Sequence, residues 1–434
     1  MKKPNQNQNP KKYLMMSPVL SLLLILSIAT QAHSKLEMVI EVFRHGAREP
    51  TKAPFDSPDW AEYQGELTSA GLRQHYLLGK EMRKKYIDKL GFLSQTFNHN
   101  EVYVRSTDSN RTIMSVQSHL LGLYPLGVGP KFPDDYPLNV AVPPYQAQYD
   151  IQALGFDVLP GNYQPIPVHV VEKSQDFLLT CYDACPNYED LKKAQKETDE
   201  YKSLDEKFQP ILQKATKVFN ISKALDLSKL GTITSDVYCD IFENNPLPEG
   251  LTQELLTNMT LLKSLEVQYV DVGSDDERKL ISTPFFSTVQ SYFKLKISGD
   301  SSLKYVIFSA HDTTLQPFMA TLNLTSWNCI LDQLEGAAQT KENCVPGYPA
   351  FATQILFELY SNQTDVGAVY VVKVIYNGVE MKMCQSENTQ CLFDEFNQRL
   401  SDYLLSDKDF ADACGAAGSE LKTPAVAIAF LKQK

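Results

Sequence analysis

Leu36-Glu37-Met38-Val39-Ile40-Glu41-Val42-Phe43 runs directly into Arg44-His45-Gly46-Ala47-Arg48-Glu49-Pro50. The first half carries Met38, Val39, Ile40, Val42 and Phe43, the apolar density of a short buried strand. The second half is cationic, and Gly46 and Pro50 punctuate it as a loop. A helix follows, with Thr68 as its cap and Leu72, Tyr76, Met82 and Tyr86 along it. Strand, polar loop and helix then recur. Glu101–Arg105 leads into Ser106-Thr107-Asp108, where Thr107 or Asp108 caps a helix with Ile113, Val116 and Leu120 on its apolar face. Lys304–Phe308 leads into Ser309-Ala310-His311-Asp312-Thr313-Thr314 and another helix. Three such units read as an open α/β sheet, whose ligands bind in the crevice beyond the carboxyl ends of the strands. The clusters Arg44–Arg48, Arg105 and His311–Asp312 are expected to converge there.

Outward from these units the pattern changes. Residues 138–278 begin with Gly and Pro punctuation and continue as charged, helix-like stretches such as Tyr188–Lys217. They read as a mostly helical cap inserted between 33–137 and 279–434, which together form the α/β domain. In the last third Phe285, Val289 and Phe293 share a helical face. Gln354–Tyr360 and Ala368–Ile375 alternate as an antiparallel pair at a sheet edge, and Phe393, Phe396, Leu400 and Leu404 mark a closing helix.

Residues 1–32 stand apart. Lys2, Lys3, Lys11 and Lys12 precede an apolar run densest between Val19 and Ile28, and Ala29-Thr30-Gln31-Ala32 follows. That order is a secretory signal peptide, with cleavage expected after Ala32. The alternative, a retained anchor, is disfavoured because the run is short for a span. The tail Ala425–Leu431 is apolar but also too short, so no stable membrane span is expected. The destination is then the secretory pathway: the medium, or a lysosomal or vacuolar lumen. Eight cysteines are expected to pair there, Cys329 with Cys344 and Cys384 with Cys391 locally, leaving Cys181, Cys185, Cys239 and Cys414 for longer closures. Of the sequons at Asn110, Asn220, Asn258, Asn323 and Asn362, Asn362 is the best candidate, in a polar turn between two strands. The net charge of −11 becomes more negative once the four leader lysines are removed. A chain this acidic is not built for nucleic acid, and any phosphate it binds must be held by a local cationic cluster.

Such a cluster is present. Arg44, Arg48 and Arg105 offer the fixed, bidentate charge that a tetrahedral oxyanion needs. His45, held among arginines, is expected to be neutral and nucleophilic in mildly acidic medium. His311 offers a further donor to phosphate. Asp312 is placed to protonate a leaving oxygen, provided that a bound phosphate dianion raises its proton affinity.

Arg44-His45-Gly46-Ala47-Arg48-Glu49-Pro50 resembles the RHGxRxP signature of the histidine acid phosphatase family. Gly65-Glu66-Leu67-Thr68 with Gly71 and Gln74, Tyr103-Val104-Arg105-Ser106-Thr107-Asp108 with Arg111-Thr112, and Ala310-His311-Asp312-Thr313-Thr314-Leu315 resemble its later blocks in order. The resemblance runs from about residue 36 to 415, nearest to the prostatic and lysosomal types and weakest in the cap. It implies a mixed central sheet with helices on both faces plus a helical cap. It implies phosphate-monoester hydrolysis at acid pH, with His45 as the nucleophile forming a phosphohistidine and Asp312 as the proton donor. Arg44, Arg48, Arg105 and His311 would hold the phosphate of a small phosphorylated substrate. No metal or other cofactor is implied, and the family includes sheet-edge homodimers. Glu49 departs from the small polar residue common at that position, and the cysteines match only in part.

Other residues earn plainer readings. His33 lies at the processed end, and His75, His99, His119 and His169 read as ordinary surface or core histidines. Asp134-Asp135 and Asp275-Asp276-Glu277 read as solvated loops, not metal sites. Arg111, past the helix start, reads as a structural ion pair. No Cys-x5-Arg, DxDxT or P-loop motif is present. Two rival functions remain. One is the same chemistry narrowed to phytate or a lysophospholipid; the late HD, in place of HAE, argues against one phytase branch only. The other is a silent phosphate- or glycan-binding protein, whose mark would be loss of His45 or Asp312.

Overall fold

The computed structural model describes residues 34–51, 65–144, 153, 155–337, 344–345, 347–384 and 388–415. The leader at 1–32, its cleavage point, His33 and the tail Ala425–Leu431 lie outside the described residues.

One sheet organises the chain. Its strands are β1 (Ser34–Arg44), β2 (Val102–Thr107), β3 (His169–Val171), β4 (Tyr305–Ala310), β5 (Gln354–Thr364), β6 (Gly367–Tyr376), β7 (Val379–Met381) and β8 (Gln390–Leu392). Their order is β3-β2-β4-β1-β5-β6-β7, with β8 also paired to β6. β1 to β4 run parallel, whereas β5 joins β1 antiparallel and begins the meander of β6 and β7. The sheet is therefore mixed, with the parallel strands delivering their carboxyl ends to one edge.

Strand alternation divides the core into two layers. Met38, Ile40 and Val42, with Val306, Phe308 and Phe357, pack against Phe285 and Phe293 of α9 (Asp275–Ser298), Phe318 of α10 (Asp312–Thr321) and Phe396 of α12 (Phe393–Ser401). Val39 and Phe43, with Tyr305, Ile307 and Leu356, pack against Met82 of α1 (Ser69–Met82) and Val116 and Leu120 of α2 (Asn110–Leu123). The Thr68 hydroxyl accepts from Gly71 N and caps α1 as expected, and the helix runs on as a π-helical stretch, Arg83–Lys89. The cap of α2 is instead Ser109, because the Thr107 hydroxyl is engaged by the side chains of Thr112 and His311.

The span read as a cap folds as α3 (Cys181–Ala184), α4 (Pro186–Lys196), α5 (Asp199–Lys207), α6 (Gln209–Val218), α7 (Leu227–Glu243) and α8 (Gln253–Val270). Leu212, Leu230, Met259 and Leu262 form a core of their own, joined by Ile330 of α11 (Trp327–Leu334). Two features of this span depart from the sequence reading. His169–Val171 pairs with β2 and extends the main sheet. Asp275-Asp276-Glu277 is not a loop but the first turn of α9. Glu277 is buried there, in a capping box with Ser274 that satisfies the helix's first N–H groups.

Disulfides link Cys329–Cys344, Cys384–Cys391 and Cys185–Cys414, the last tying α13 (Asp407–Cys414) to the start of α4 across 229 residues. The expectation that all eight cysteines pair is corrected: Cys181 and Cys239 are buried free thiols. The Cys181 Sγ lies 3.6 Å from that of Cys185, which is already bonded to Cys414, and Cys239 faces Arg48. Asn362 lies within β5, paired with Val369, and not in the turn itself.

Candidate active site

β1, β2 and β4 end side by side. The His45 N–H donates to the Ala310 carbonyl at 2.9 Å, and the His45 carbonyl accepts from Ala352 N at 3.1 Å. The loop after β1 is thus stitched to the end of β4 and to the start of β5. It also lies against the first turn of α1. A Cβ on Gly46 would sit 2.4 Å from the Gly71 carbonyl oxygen, and one on Gly71 would sit 2.1 Å from that of Ala47. Two glycines are needed for this approach. It presses His45, 2% exposed, into the crevice.

His45 Nδ1 lies 2.8 Å from the Gly46 carbonyl oxygen. A carbonyl only accepts, so Nδ1 carries the proton and Nε2 keeps its lone pair. Burial, with Arg44, His311, Arg111 and Arg48 adding their fields, holds the imidazole well below its ordinary range. The ring is therefore neutral in acid. The His311 ring lies 5.6 Å away, centroid to centroid. Burial first, then the Arg111 guanidinium, pushes His311 down to about 3. Its Nδ1 faces the Arg111 guanidinium at 3.4 Å, and its Nε2 lies 2.9 Å from the Thr107 hydroxyl.

Arg44 Nη2 meets the Asp312 carboxylate at 2.7 Å, and Nη1 donates to the Pro349 carbonyl at 2.5 Å. The guanidinium stacks 4.2 Å from the Phe351 ring centroid. Burial alone would raise the Asp312 carboxyl. Arg44, Lys263, His45 and Arg48 override it and hold the group well below the usual carboxylate range. Asp312 is thus an anion in the unliganded site. It opens α10, whose amino end faces the same crevice. Arg48 Nη1 donates to the Glu49 carbonyl at 2.7 Å and lies 3.8 Å from Cys239 Sγ. The Glu49 carboxyl is raised by burial and by Glu243 and Glu66.

The structure brings Arg44, His45, Arg48, His311 and Asp312 together. Arg105 is differently engaged: its guanidinium is ion-paired with Asp176, which is fully buried. Arg111, read from sequence as a structural ion pair, is the cation that faces His311 and lies within the field of Asp312. Its position in the first turn of α2 was the available signal, because the amino end of a helix that follows a parallel strand points into the crevice. Sequence gave no sign of Lys263 on α8 or of Tyr348, whose hydroxyl hydrogen-bonds Asp312.

The Nε atoms of Arg44, Arg48 and Arg111 are buried without a hydrogen-bond partner among the described residues, as is that of Arg105. Buried donors are seldom left so. Three guanidiniums around a neutral imidazole, with one carboxylate between them, carry a surplus of positive charge that an oxyanion would neutralise.

A family described as the histidine phosphatase superfamily (branch 2) matches residues 54–377, starting just beyond the loop that carries His45. The lysosomal acid phosphatase of Xenopus laevis is 28% identical over 315 residues, covering 70% of this chain and 66% of that protein. The chain thus spans about two thirds of that relative's length. The prostatic acid phosphatase of Mus musculus is 29% identical over 314 residues, 70% of this chain and 74% of its own. Among solved structures, a Hafnia alvei phytase in complex with myo-inositol hexakis sulphate shares the fold. Its TM-score is 0.60 at 16% identity, over 89% of this chain and 99% of that one.

Proposed function

The chain belongs to branch 2 of the histidine phosphatase superfamily, and on that premise we propose that it hydrolyses phosphate monoesters at acidic pH through a phosphohistidine on His45. One observation carries the reading: a buried imidazole with its proton fixed on Nδ1 and its lone pair on Nε2, ringed by guanidiniums with unpartnered donors. The tetrahedral dianion fills those donors. Arg44, Arg48 and Arg111 hold the phosphoryl oxygens, with His311 beside them. Arg105 would have to leave Asp176 to join them, so in this reading it braces the site.

His45 Nε2 attacks phosphorus, and the P–O ester bond breaks. The leaving oxygen takes a proton from Asp312. Asp312 is ionised in the unliganded site, and the incoming dianion reverses that, because its charge and its claim on Arg44 both favour proton uptake. Water then attacks the phosphohistidine, losing its proton to the Asp312 carboxylate and freeing His45 and inorganic phosphate. Electrostatic positioning supplies most of the acceleration. Three disulfides support folding in the secretory pathway.

The test is hydrolysis of an aryl phosphate across acid to neutral pH with a chelator present. Activity is expected in acid, absent in His45→Ala and strongly cut in Asp312→Ala. A His45→Ala protein that turns over at the wild-type rate refutes the phosphohistidine route. Inositol hexakisphosphate and a lysophospholipid, run in parallel, decide between a broad and a narrow substrate range.

A further inference from the structure

Lys263 reaches the site from the cap and has no part in the steps above. It sits on α8 within Leu261-Leu262-Lys263-Ser264-Leu265, and it is 6% exposed. A lysine so deeply buried ordinarily pairs with a carboxylate. Here its Nζ donates to the Ser235 hydroxyl of α7 at 2.6 Å and lies 3.6 Å from the centroid of the Tyr348 ring. Tyr348 in turn hydrogen-bonds Asp312. The Arg44 guanidinium binds the same carboxylate and lies 5.6 Å from the same ring. The ring is thus held by two cations, with its hydroxyl on the group that must deliver a proton.

We propose that Lys263 is a positioning residue for the reaction: through Tyr348 it orients the Asp312 carboxyl, and through its charge it sets how readily that carboxyl takes up the proton it delivers. The inference rests on the reading of Asp312 as proton donor. Asp312 is faced by Arg44 of β1, by His45 and Arg48 of the following loop, by Arg111 of α2 and by Tyr182 of α3. Lys263 of α8, Tyr348 ahead of β5, and the neighbouring His311 face it as well. Arg44, Arg48 and Arg111 are claimed by phosphate oxygens once substrate binds. The Lys263 charge remains free to act on Asp312. Lys263 itself is faced by Asp312, Arg44, Arg48, Cys239 and Asp236. Burial pushes its ammonium down to about 7, so in acid it is charged and opposes protonation of Asp312. The arrangement confines proton delivery to acid medium.

The experiment is single-turnover release of the alcohol from an alkyl phosphate, and of the phenol from an activated aryl phosphate, over a series of pH values. Wild type, Lys263→Met, Lys263→Arg and Tyr348→Phe are compared, with His45→Ala as the blank. An alkoxide must be protonated as it leaves, whereas an activated phenolate departs without a proton. Loss of the Lys263 charge raises the proton affinity of Asp312, so the basic limb of the alkyl profile should move up by about one pH unit in Lys263→Met. The aryl profile should stay in place, and Lys263→Arg should keep the wild-type limb. Tyr348→Phe should slow the alkyl ester more than the aryl ester. Should the methionine variant not fold, Lys263→Gln, which can still bond Ser235, is read in the same way. A limb that does not move, or that moves equally for both esters, overturns the role of Lys263 and reduces it to cap packing. If wild type releases no alcohol at any pH, the reading of Asp312 fails and takes this one with it. An active wild type with an unmoved limb defeats the Lys263 role alone.

Discussion

Arg105 and Arg111 lie six positions apart and have different partners. Arg105 belongs to β2, in register with Phe308 and His169, and it neutralises Asp176, which is fully buried. Removing one partner of a buried pair strands the other, at a cost of about 3–5 kcal/mol. Arg105→Ala should therefore lower the melting temperature markedly, read by thermal denaturation without ligand. Arg111 has a buried Nε without a partner and no ion pair among the described residues. Arg111→Ala should melt near wild type, yet lose about 10²-fold in kcat/KM and bind inorganic phosphate weakly. The reverse pattern would exchange the two roles. The arginines in Arg44–Arg48 were legible because they follow a strand directly. The choice between Arg105 and Arg111 was not, because it depends on which side chain finds a carboxylate, and Asp176 is 71 residues further along the chain. Lys263 was hidden for a similar reason. Within an apolar helical run a lysine reads as the solvated edge, and only the docking of α8 over the crevice buries it.

Elements aim these side chains, and the contact between the His45 loop and α1 is a close one. Thr68 N donates to the Ala47 carbonyl, Ala47 N donates to the Gln74 side chain at 2.8 Å, and the two glycines let the backbones touch. Gly71→Ala puts a methyl 2.1 Å from the Ala47 carbonyl, against backbone that cannot swing aside. The expected cost is about 1–3 kcal/mol, with weaker phosphate binding because the loop must shift. Gly231→Ala is the control. That glycine lies inside α7, where a methyl meets only the Lys263 side chain at 3.6 Å, and helix propensity favours alanine by about 1 kcal/mol. A calorimetric melt with and without phosphate distinguishes the two. The strand–loop–helix units were legible from alternation and punctuation, which are local properties. Strand order was not: β4 inserts between β1 and β2 across more than 180 residues, and β3 joins the edge with three residues too few to show a pattern.

Over the whole molecule, burial shifts two opposed sets of titrating groups, and their balance sets how the fold bears acid. His75, His119 and His311 are pushed down to about 3, chiefly by burial, and His45 lies well below its ordinary value. Each is neutral when folded and protonated when unfolded below about 6.5, so each favours unfolding as the pH falls from there toward its folded value. Glu41, Asp236, Glu266 and Glu277 are raised to about 7, again chiefly by burial. Each is protonated when folded and ionised when unfolded above about 4.5, so each favours the fold as the pH falls from 7 toward that value. Between about 4.5 and 6.5 the two sets oppose one another, and the melting temperature should change little. From about 6.5 to 7 the histidines no longer offset the carboxyls and it should fall, levelling above 7 where the carboxyls are ionised in both states. Glu41 gives the sharpest test. Its carboxyl is fully buried between the Tyr305 hydroxyl and the Gln354 amide, 3.4 Å from His119. Glu41→Gln keeps the shape of the protonated acid and removes one titrating group. Its stability should match wild type near pH 4.5 and exceed it increasingly toward neutrality, by up to about 1.4 kcal/mol per pH unit. Urea denaturation at several pH values measures that slope. Parallel curves for the two proteins would mean that Glu41 is ionised in the fold, held by His119 as an ion pair, and that the acid tolerance of the fold has another source.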